Sequence, residues 1–479
     1  MAKAIIGGKE VGSERVAEVR NPASGELIDV VPILDREVVR EAIEEAHAAQ
    51  LRLEAMGASA RQAALADVAE ALRKRADEIA KITALEIGRP IKSSRADAVR
   101  AASIFELAAS ETRNVLEGKF VPLELYDYPA GNANRVAVVQ RQPVGVVASI
   151  TPFNFPAASF AHKVAPALAV GNSVVHKPSV SAPLTQLKIA SVLLEEGLPA
   201  GSINVVTGES GMIGDEFLSN PKVSLITFTG SESVGLELAS KAVLAGKRVI
   251  MELGGSDAEI VFSDADMDAA AQAAIVGRFD YAGQFCNATK RLLVEKRAKD
   301  SFLESLLKRF RALKVGDPLH EDTDVGPLIN YEAVKKMEDF LRDAEERGGS
   351  VVERLPVPAS GFYFPPVILE GVSTEAKVMK EEVFGPILPI AYFESEDEAV
   401  EVANSTKYGL DASVFTVDLK RAYRVAKKLR AGTVVINDTT RLRWDNLPFG
   451  GVKRSGIGRE SVRDTMAEMT EPKLMVFKG

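Results

Sequence analysis

The spacing of apolar residues changes character along the chain. In the first part, apolar residues recur every three to four positions. Residues 36–49 and 60–87 follow this rhythm and are predicted as helices. Leu65, Val68, Leu72, Ile79 and Ile82 fall on one face, and Gly88 with Pro90 read as a stop. From about residue 143 short β-rich runs take over, at 144–150, 173–176, 203–206, 225–228, 248–251 and 259–262. Helical candidates lie among them near 156–170, 182–196, 211–219 and 231–245. Strand and helix alternating at this spacing imply parallel βαβ units. A second alternating region runs from about 264 to 436, with helices near 298–313 and 331–348 and a strand at 433–437. Residues 119–141 alternate apolar and polar and read as a hairpin, and 472–477 as a short strand. The expected fold class is α/β: two α/β domains and a small β element.

Length supports more than one core. At roughly 150 residues per domain, 479 residues suggest two to four domains that need no disulfide or metal for stability. The composition, 46% hydrophobic and 26% charged, is that of a globular chain. Lys plus Arg number 59 against 67 Asp plus Glu, a net charge of −8, which argues against a nucleic-acid partner. Residues 1–12 hold no apolar run of signal-peptide length. Residues 142–162 carry no Asp, Glu, Lys or Arg, yet they hold Pro143, Gly145, Pro152, Asn154 and Pro156. A spanning helix needs ~20 mostly apolar residues, and interior prolines break it. The segment therefore reads as a buried strand followed by a turn, in a soluble, cytoplasmic protein with no membrane partner.

The side-chain inventory narrows the chemistry. Cys286 is the single cysteine, so no intrachain disulfide and no cysteine-based metal site can form. Four histidines without His-Glu-x-x-His spacing make a metal site unexpected, and no Gly-x4-Gly-Lys-Ser/Thr loop is present. Cys286 lies among Gly283, Gln284 and Asn287, where backbone can approach a ligand. A free cysteine is commonly a small buried hydrophobe; as a nucleophile its thiol, ordinarily near pKa ~8.5, needs activation. Glu252 ends the apolar run 249–252 ahead of two glycines, a strand end of the kind where α/β sites are built. Desolvation there raises a carboxylate pKa toward that of a general base, unless the side chain simply meets solvent. Asn154 sits in a proline-bounded turn, placed either to donate to an oxyanion or to satisfy its own backbone. The turn from Phe228 to Gly235 suits a phosphate at a helix N-terminus or serves as a plain tight turn. Lys177 ends another strand, and Glu382 and Phe384 share an acidic turn. Each has an ordinary surface reading beside its ligand-binding one.

In chain order these residues form one set. Asn154, Lys177, Gly230, Glu252, Cys286, Glu382 and Phe384, followed by Asn-Leu-Pro-Phe-Gly-Gly at 446–451, resemble the aldehyde dehydrogenase superfamily. The resemblance runs from Asn-Pro-Ala-Ser-Gly at 21–25 to Glu471 and rests most on Pro-Phe-Asn-Phe-Pro, Glu-Leu-Gly-Gly and Gly-Gln-x-Cys. The chain looks most like the branch holding lactaldehyde, glyceraldehyde and succinate-semialdehyde dehydrogenases. It is also similar to phosphonoacetaldehyde dehydrogenases, but Phe285 stands where those usually place Arg before the nucleophile.

The resemblance implies an NAD(P)-binding domain over 1–118 and 142–252, a catalytic domain over 253–436 and an oligomerisation flap over 119–141 and 460–479. It implies a homodimer or homotetramer acting on a small-molecule aldehyde with NAD or NADP. Cys286 would be the nucleophile, Glu252 the base for thioester hydrolysis and Asn154 an oxyanion donor. Thr151, Pro152, Phe153, Lys177, Ser179, Gly208, Gly230, Ser231, Leu253, Glu382 and Phe384 would bind the cofactor. Val180 replaces a Glu common in NAD-preferring members, which implies tolerance of NADP. Phe155, His162, Phe285, Arg443 and Phe449 are the substrate-pocket candidates, with Arg441 beside them. For His162 a packed helix histidine is the alternative, and for the arginines a loop salt bridge. Glu460 matches a second carboxylate that serves as a proton relay or a structural ion pair. Two other activities compete: a CoA-acylating relative, which Glu252 disfavours, and a non-catalytic protein on the same fold.

Overall fold

A computed structural model describes residues 1–479. Its largest sheet has eight strands in the spatial order Gly456–Ile457, Arg248–Glu252, Val223–Thr229, Val146–Ile150, Ser173–Lys177, Ile203–Val205, Ala4–Ile6 and Lys9–Val11. The five strands from Arg248–Glu252 to Ile203–Val205 run parallel, and antiparallel pairs close both edges. Parallel neighbours require crossovers. The helices Pro156–Ala169, Pro183–Glu195, Ser210–Ser219 and Glu232–Leu244 supply them. The strands are rich in Val, Ile and Leu because both faces are covered, and Ser173–Lys177 is buried at every position, its polar side chains included.

The second sheet has seven strands: Ser350–Arg354, Val367–Glu370, Ile387–Phe393, Thr289–Glu295, Asp257–Val261, Asp411–Phe415 and Thr433–Ile436. All pairs are parallel except the first. The strand expected at 259–262 belongs here as Asp257–Val261.

The N-terminal helices differ from expectation in an instructive way. Residues 36–49 and the first half of 60–87 are one element, Arg36–Lys74, kinked at Gly57. A second helix, Ala76–Ile87, follows a break at Arg75 and ends at left-handed Gly88. Leu65, Val68, Leu72 and Ile79 are buried; Ile82, beyond the break, is only partly covered. The helix Ile91–Leu116 was not expected at all. Five of its twelve buried residues are alanine (Ala98, Ala101, Ala102, Ala108, Ala109) and three more are Ser94, Asp97 and Thr112, which writes a faint hydrophobic period.

Side chains from this layer hold the site helices at their N-termini. Asp97 accepts from the Ala157 and Ala158 N–H groups at 3.1 and 3.3 Å. Glu86 accepts from Leu184 and Thr185 at 2.8 and 2.9 Å. These are orphan donors that a helix start cannot satisfy itself. Burial nevertheless pushes the Glu86 carboxyl up to about 7.

Arg135–Pro143 pairs antiparallel with Lys119–Pro122 on one side and, along nine residues, with Thr470–Lys478 on the other. The helix Val462–Glu468, just ahead of that last strand, lies elsewhere: Val462 and Met466 are buried in the core of the eight-stranded layer. No helix is long and apolar enough to cross a membrane.

Candidate active site

A cavity of about 480 Å³ opens where three neighbouring strands of the large sheet end. Val146–Ile150 leads into Asn154, Val223–Thr229 into Gly230, and Arg248–Glu252 ends on Glu252 itself. The segment before the strand Thr289–Glu295 of the other sheet brings Cys286 to the same cavity. Asn154, Glu252 and Cys286, more than 30 positions apart in sequence, thus share one wall-lined space.

The loop that carries Cys286 is built under strain. Tyr281, Ala282 and Gly283 all have left-handed backbone, with φ of 45°, 52° and 69°. For Tyr and Ala this conformation is costly, so the surroundings must impose it. Tyr281 Oη donates to the Ile87 carbonyl at 2.8 Å. The Gln284 side chain bridges the loop to 327–329, donating to the Pro327 carbonyl and accepting from the Ile329 N–H. A Cβ on Gly283 would lie 2.6 Å from the Arg278 carbonyl, so no larger residue fits. Lys290, fully buried, donates to the Phe285 and Cys286 carbonyls and anchors the loop from behind. The half-buried Cys286 thiol is pushed up to about 12 by burial, against the opposing pull of Lys290. At neutral pH the resting group is a thiol. No protein group accepts from the Cys286 N–H.

Glu252 is 2% exposed, and neither carboxylate oxygen has a hydrogen-bond partner. Burial, reinforced by the Glu460 charge, raises its pKa well above the usual carboxylate range. Glu460 is equally buried but fully engaged. Lys163 Nζ donates to Oε1 at 3.0 Å and Arg443 Nη2 to Oε2 at 3.3 Å. Burial pushes Glu460 up, but the two cations outweigh it and hold the group ionised. Two adjacent carboxyls are therefore driven apart, one toward neutrality and one charged.

Asn154 donates through Nδ2 to the Gln284 carbonyl at 2.8 Å, which orients the amide and leaves its second N–H for a ligand. Its own carbonyl accepts from Arg89.

The expected cofactor residues separate into two groups. Pro152, Phe153, Gly230, Ser231, Leu253, Glu382 and Phe384 line the main cavity. The Phe153 and Phe384 rings meet edge to face at 6.0 Å. Glu382 accepts from the Gly255 N–H at 3.2 Å, and a Cβ on Gly254 would sit 2.3 Å from its Oε2. The missing side chain at 254 is thus what seats this carboxylate. Ser179 and Gly208 instead line a smaller cleft of about 180 Å³, together with Val180. Lys177 and Thr151 line neither. Lys177 is buried, donates to the Pro178 carbonyl, and has its pKa pushed down to about 8 by burial. The Thr151 hydroxyl is committed to Gln186 Oε1 at 2.9 Å, within a buried network that includes His176. These positions fit a dinucleotide. A helix start at Ser231 and a carboxylate seated in a side-chain-free cradle flank the space that leads to Cys286.

Of the substrate candidates, Phe155, His162, Arg443 and Phe449 line the cavity. Phe285 does not. It is fully buried behind the wall, 5.0 Å from the Phe155 ring, with the Arg441 guanidinium 3.3 Å above it. Its role is to carry the wall residues. Sequence reasoning passed over Arg100, which reaches the cavity from the unexpected alanine-faced helix, and Ser159, a serine inside an apolar run. It also passed over Lys290, whose neighbours Thr289 and Arg291 give it the look of an ordinary polar stretch and leave no signal in the sequence.

The aldehyde dehydrogenase family matches residues 9–475. The chain is 39% identical to a lactaldehyde dehydrogenase of Methanocaldococcus jannaschii, with 99% of each chain covered. It is 38% identical to a mitochondrial succinate-semialdehyde dehydrogenase of Oryza sativa subsp. japonica, covering 98% of this chain and 88% of that one. A glyceraldehyde-3-phosphate dehydrogenase from Methanocaldococcus jannaschii, solved with NADP, superposes with a TM-score of 0.90 at 38% identity, covering 97% of this chain and 100% of that one. With the fold, the cavity and these likenesses in agreement, the chain belongs to the aldehyde dehydrogenase family and is an NAD(P)-dependent oxidoreductase acting on aldehydes.

Proposed function

We propose that this enzyme oxidises a small hydroxyaldehyde, of the lactaldehyde or glyceraldehyde kind, to the carboxylic acid through a thioester on Cys286. The observation that carries the chemistry is the meeting of Cys286 with an unpartnered, neutral-leaning Glu252 and an oriented Asn154 in one cavity. The thiol passes its proton to solvent water, and the thiolate sulfur attacks the aldehyde carbon. The Cys286 N–H and the Asn154 amide donate to the oxyanion so formed. A nicotinamide dinucleotide, when bound, supplies the acceptor for the hydride that must leave this carbon. Glu252 then takes a proton from the water that cleaves the thioester. Glu252 has no function in a CoA-acylating enzyme, so hydrolysis is the favoured outcome.

Electrostatics support a neutral hydroxyaldehyde. Each cavity guanidinium already faces a carboxylate: Arg100 with Asp445 at 2.6 Å, Arg441 with Asp280 at 3.3 Å, and Arg443 with Glu460 at 3.3 Å. An anionic aldehyde must compete with these pairs. The second reading, an anionic substrate such as succinate semialdehyde, phosphonoacetaldehyde or glyceraldehyde 3-phosphate, draws on Arg443 Nε, a buried donor without a partner. Initial rates of reduced-cofactor formation across these aldehydes separate the two. Lactaldehyde or glyceraldehyde is expected to show the highest kcat/KM; a tenfold or greater advantage for an anionic aldehyde would replace this reading with the second.

The same proposal assigns the eight-stranded layer to the cofactor and the seven-stranded layer to catalysis. The flap is the three-stranded sheet, beginning at Thr470 rather than 460 because residues 462–466 sit in the first core. Both outer strands of that sheet have open edges, and Phe120, Leu474 and Phe477 are exposed on it. Pairing with another copy would cover them, giving a homodimer or homotetramer. A nucleophilic free thiol suits a reducing, cytoplasmic setting.

Dual cofactor use rests on Val180, exposed beside Ser179 in the smaller cleft, where the one lining acid, Glu209, is already paired with Arg15 at 2.7 Å. NAD and NADP are expected to differ by less than about a thousandfold in kcat/KM, or ~4 kcal/mol. Val180→Glu is expected to cut kcat/KM for NADP about tenfold or more relative to NAD, by like-charge repulsion. An unchanged ratio would show that position 180 does not face the ribose.

A further inference from the structure

We infer that His162 and Ser159 form a hydroxyl-reading pair in the substrate cavity, which distinguishes a hydroxyaldehyde from its deoxy analogue. The inference rests on the hydroxyaldehyde reading and specifies how that preference is achieved.

His162 Nε2 lies 3.0 Å from Asp445 Oδ1. Asp445 is also gripped by Arg100, Nη2 at 2.6 Å and Nε at 2.9 Å from the same oxygen. Burial raises the Asp445 carboxyl, but His162 and Arg100 outweigh it, and the group stays ionised far below the usual carboxylate range. An ionised carboxylate only accepts, so the proton on this side belongs to Nε2. Burial, with the nearby Arg443 charge, pushes the His162 ring down to about 4, so a second ring proton is absent at neutral pH. Nδ1 is therefore a bare acceptor. It is buried, and nothing in the protein donates to it.

Ser159 stands three residues earlier on the same helix, Pro156–Ala169. That spacing places both side chains on one helix face. Its Oγ is likewise buried without a partner, and both residues line the cavity that holds Cys286. One wall thus presents a fixed acceptor beside a hydroxyl able to donate, and neither is satisfied by the protein. Buried polar groups are rarely left in this state unless a ligand or an ordered water completes them, and here the two face the substrate cavity. A substrate hydroxyl matches both at once, donating to His162 Nδ1 and accepting from Ser159 Oγ. A carboxylate does not, because it brings no proton for Nδ1. A deoxy aldehyde leaves both groups unpaired, which is the arrangement that yields strong discrimination.

The test is the ratio of kcat/KM for lactaldehyde over propanal, measured with saturating NADP. In the wild type the ratio is expected to be about tenfold or more. His162→Leu removes the acceptor and should bring the ratio toward one. Ser159→Ala should lower it severalfold. His162→Asn, which can return an oxygen acceptor near the Nδ1 position, should retain part of it. A damaged fold lowers both rates and leaves the ratio alone, so the ratio isolates the hydroxyl. If the wild type prefers lactaldehyde but the ratio survives in His162→Leu and Ser159→Ala, the pair does not read the hydroxyl, while the hydroxyaldehyde reading stands. If the wild type prefers an anionic aldehyde, the underlying reading falls, and a wild-type ratio near one with both substrates turned over overturns the pair directly.

Discussion

Cys286→Ser is expected to lose aldehyde oxidation by about a thousandfold or more with either cofactor, while still binding the dinucleotide. The substitution is nearly isosteric and sits in a loop held by other groups: the Gln284 bridge, the Tyr281 hydroxyl and Lys290. Fold and cofactor affinity, followed by circular dichroism and calorimetry, should therefore be preserved. The loss is chemical. A serine hydroxyl is far harder to ionise than a thiol in the same desolvated pocket, and its ester intermediate is a poorer acyl donor. The wild-type thiol itself rests protonated, since burial lifts it to about 12. Alkylation of the free enzyme by iodoacetamide should accordingly be slow at neutral pH and accelerate steeply as pH rises. Activity within about tenfold of wild type in the serine variant would remove Cys286 from the mechanism.

Glu252→Gln should separate the two halves of the reaction. On the proposed mechanism, forming the thioester needs no base at Glu252, whereas cleaving it does. Reduced cofactor is expected to appear in a burst approaching one equivalent per site, followed by a steady state lowered by about 10²–10⁴, the range of a lost general base. The pH profile gives an independent check. Glu252 acts as a base only when ionised, and burial together with Glu460 raises its pKa. Steady-state turnover should thus rise with pH through a midpoint above the ordinary carboxylate range and fall away below it. That limb should vanish in Glu252→Gln. A variant with an unchanged profile and no burst would mean that another group activates the water. The variant should fold normally, because neither carboxylate oxygen makes a bond that an amide would break.

The parts of the site that were legible in the sequence share one property: each is a short contiguous motif. Pro-Phe-Asn-Phe-Pro, Glu-Leu-Gly-Gly and Gly-Gln-x-Cys carry Asn154, Glu252 and Cys286, and all three reach the cavity. The parallel strands were legible because two covered faces leave an apolar run with no polar alternation. The helix Ile91–Leu116 was not, since alanine contributes little to a hydrophobic period, and Arg100 went unnoticed with it. Phe285 was misplaced for a different reason. Adjacency to Cys286 in sequence says nothing about which way a strained loop turns, and here it turns the ring away from the cavity.

By itself the sequence determined the alternating α/β architecture, the absence of any cysteine partner for Cys286, and which side chains are the candidates for reaction. These are local properties: periodicity, inventory and motif. Only the tertiary structure decided the state of those groups. Glu252 and Glu460 are identical side chains, yet one is unpartnered and driven toward neutrality while Lys163 and Arg443 keep the other charged. His162 became an acceptor only when Asp445, 283 residues away, and Arg100 met it. Protonation depends on desolvation and on charges a few ångströms distant, and the fold, which brings remote residues together, is what sets both.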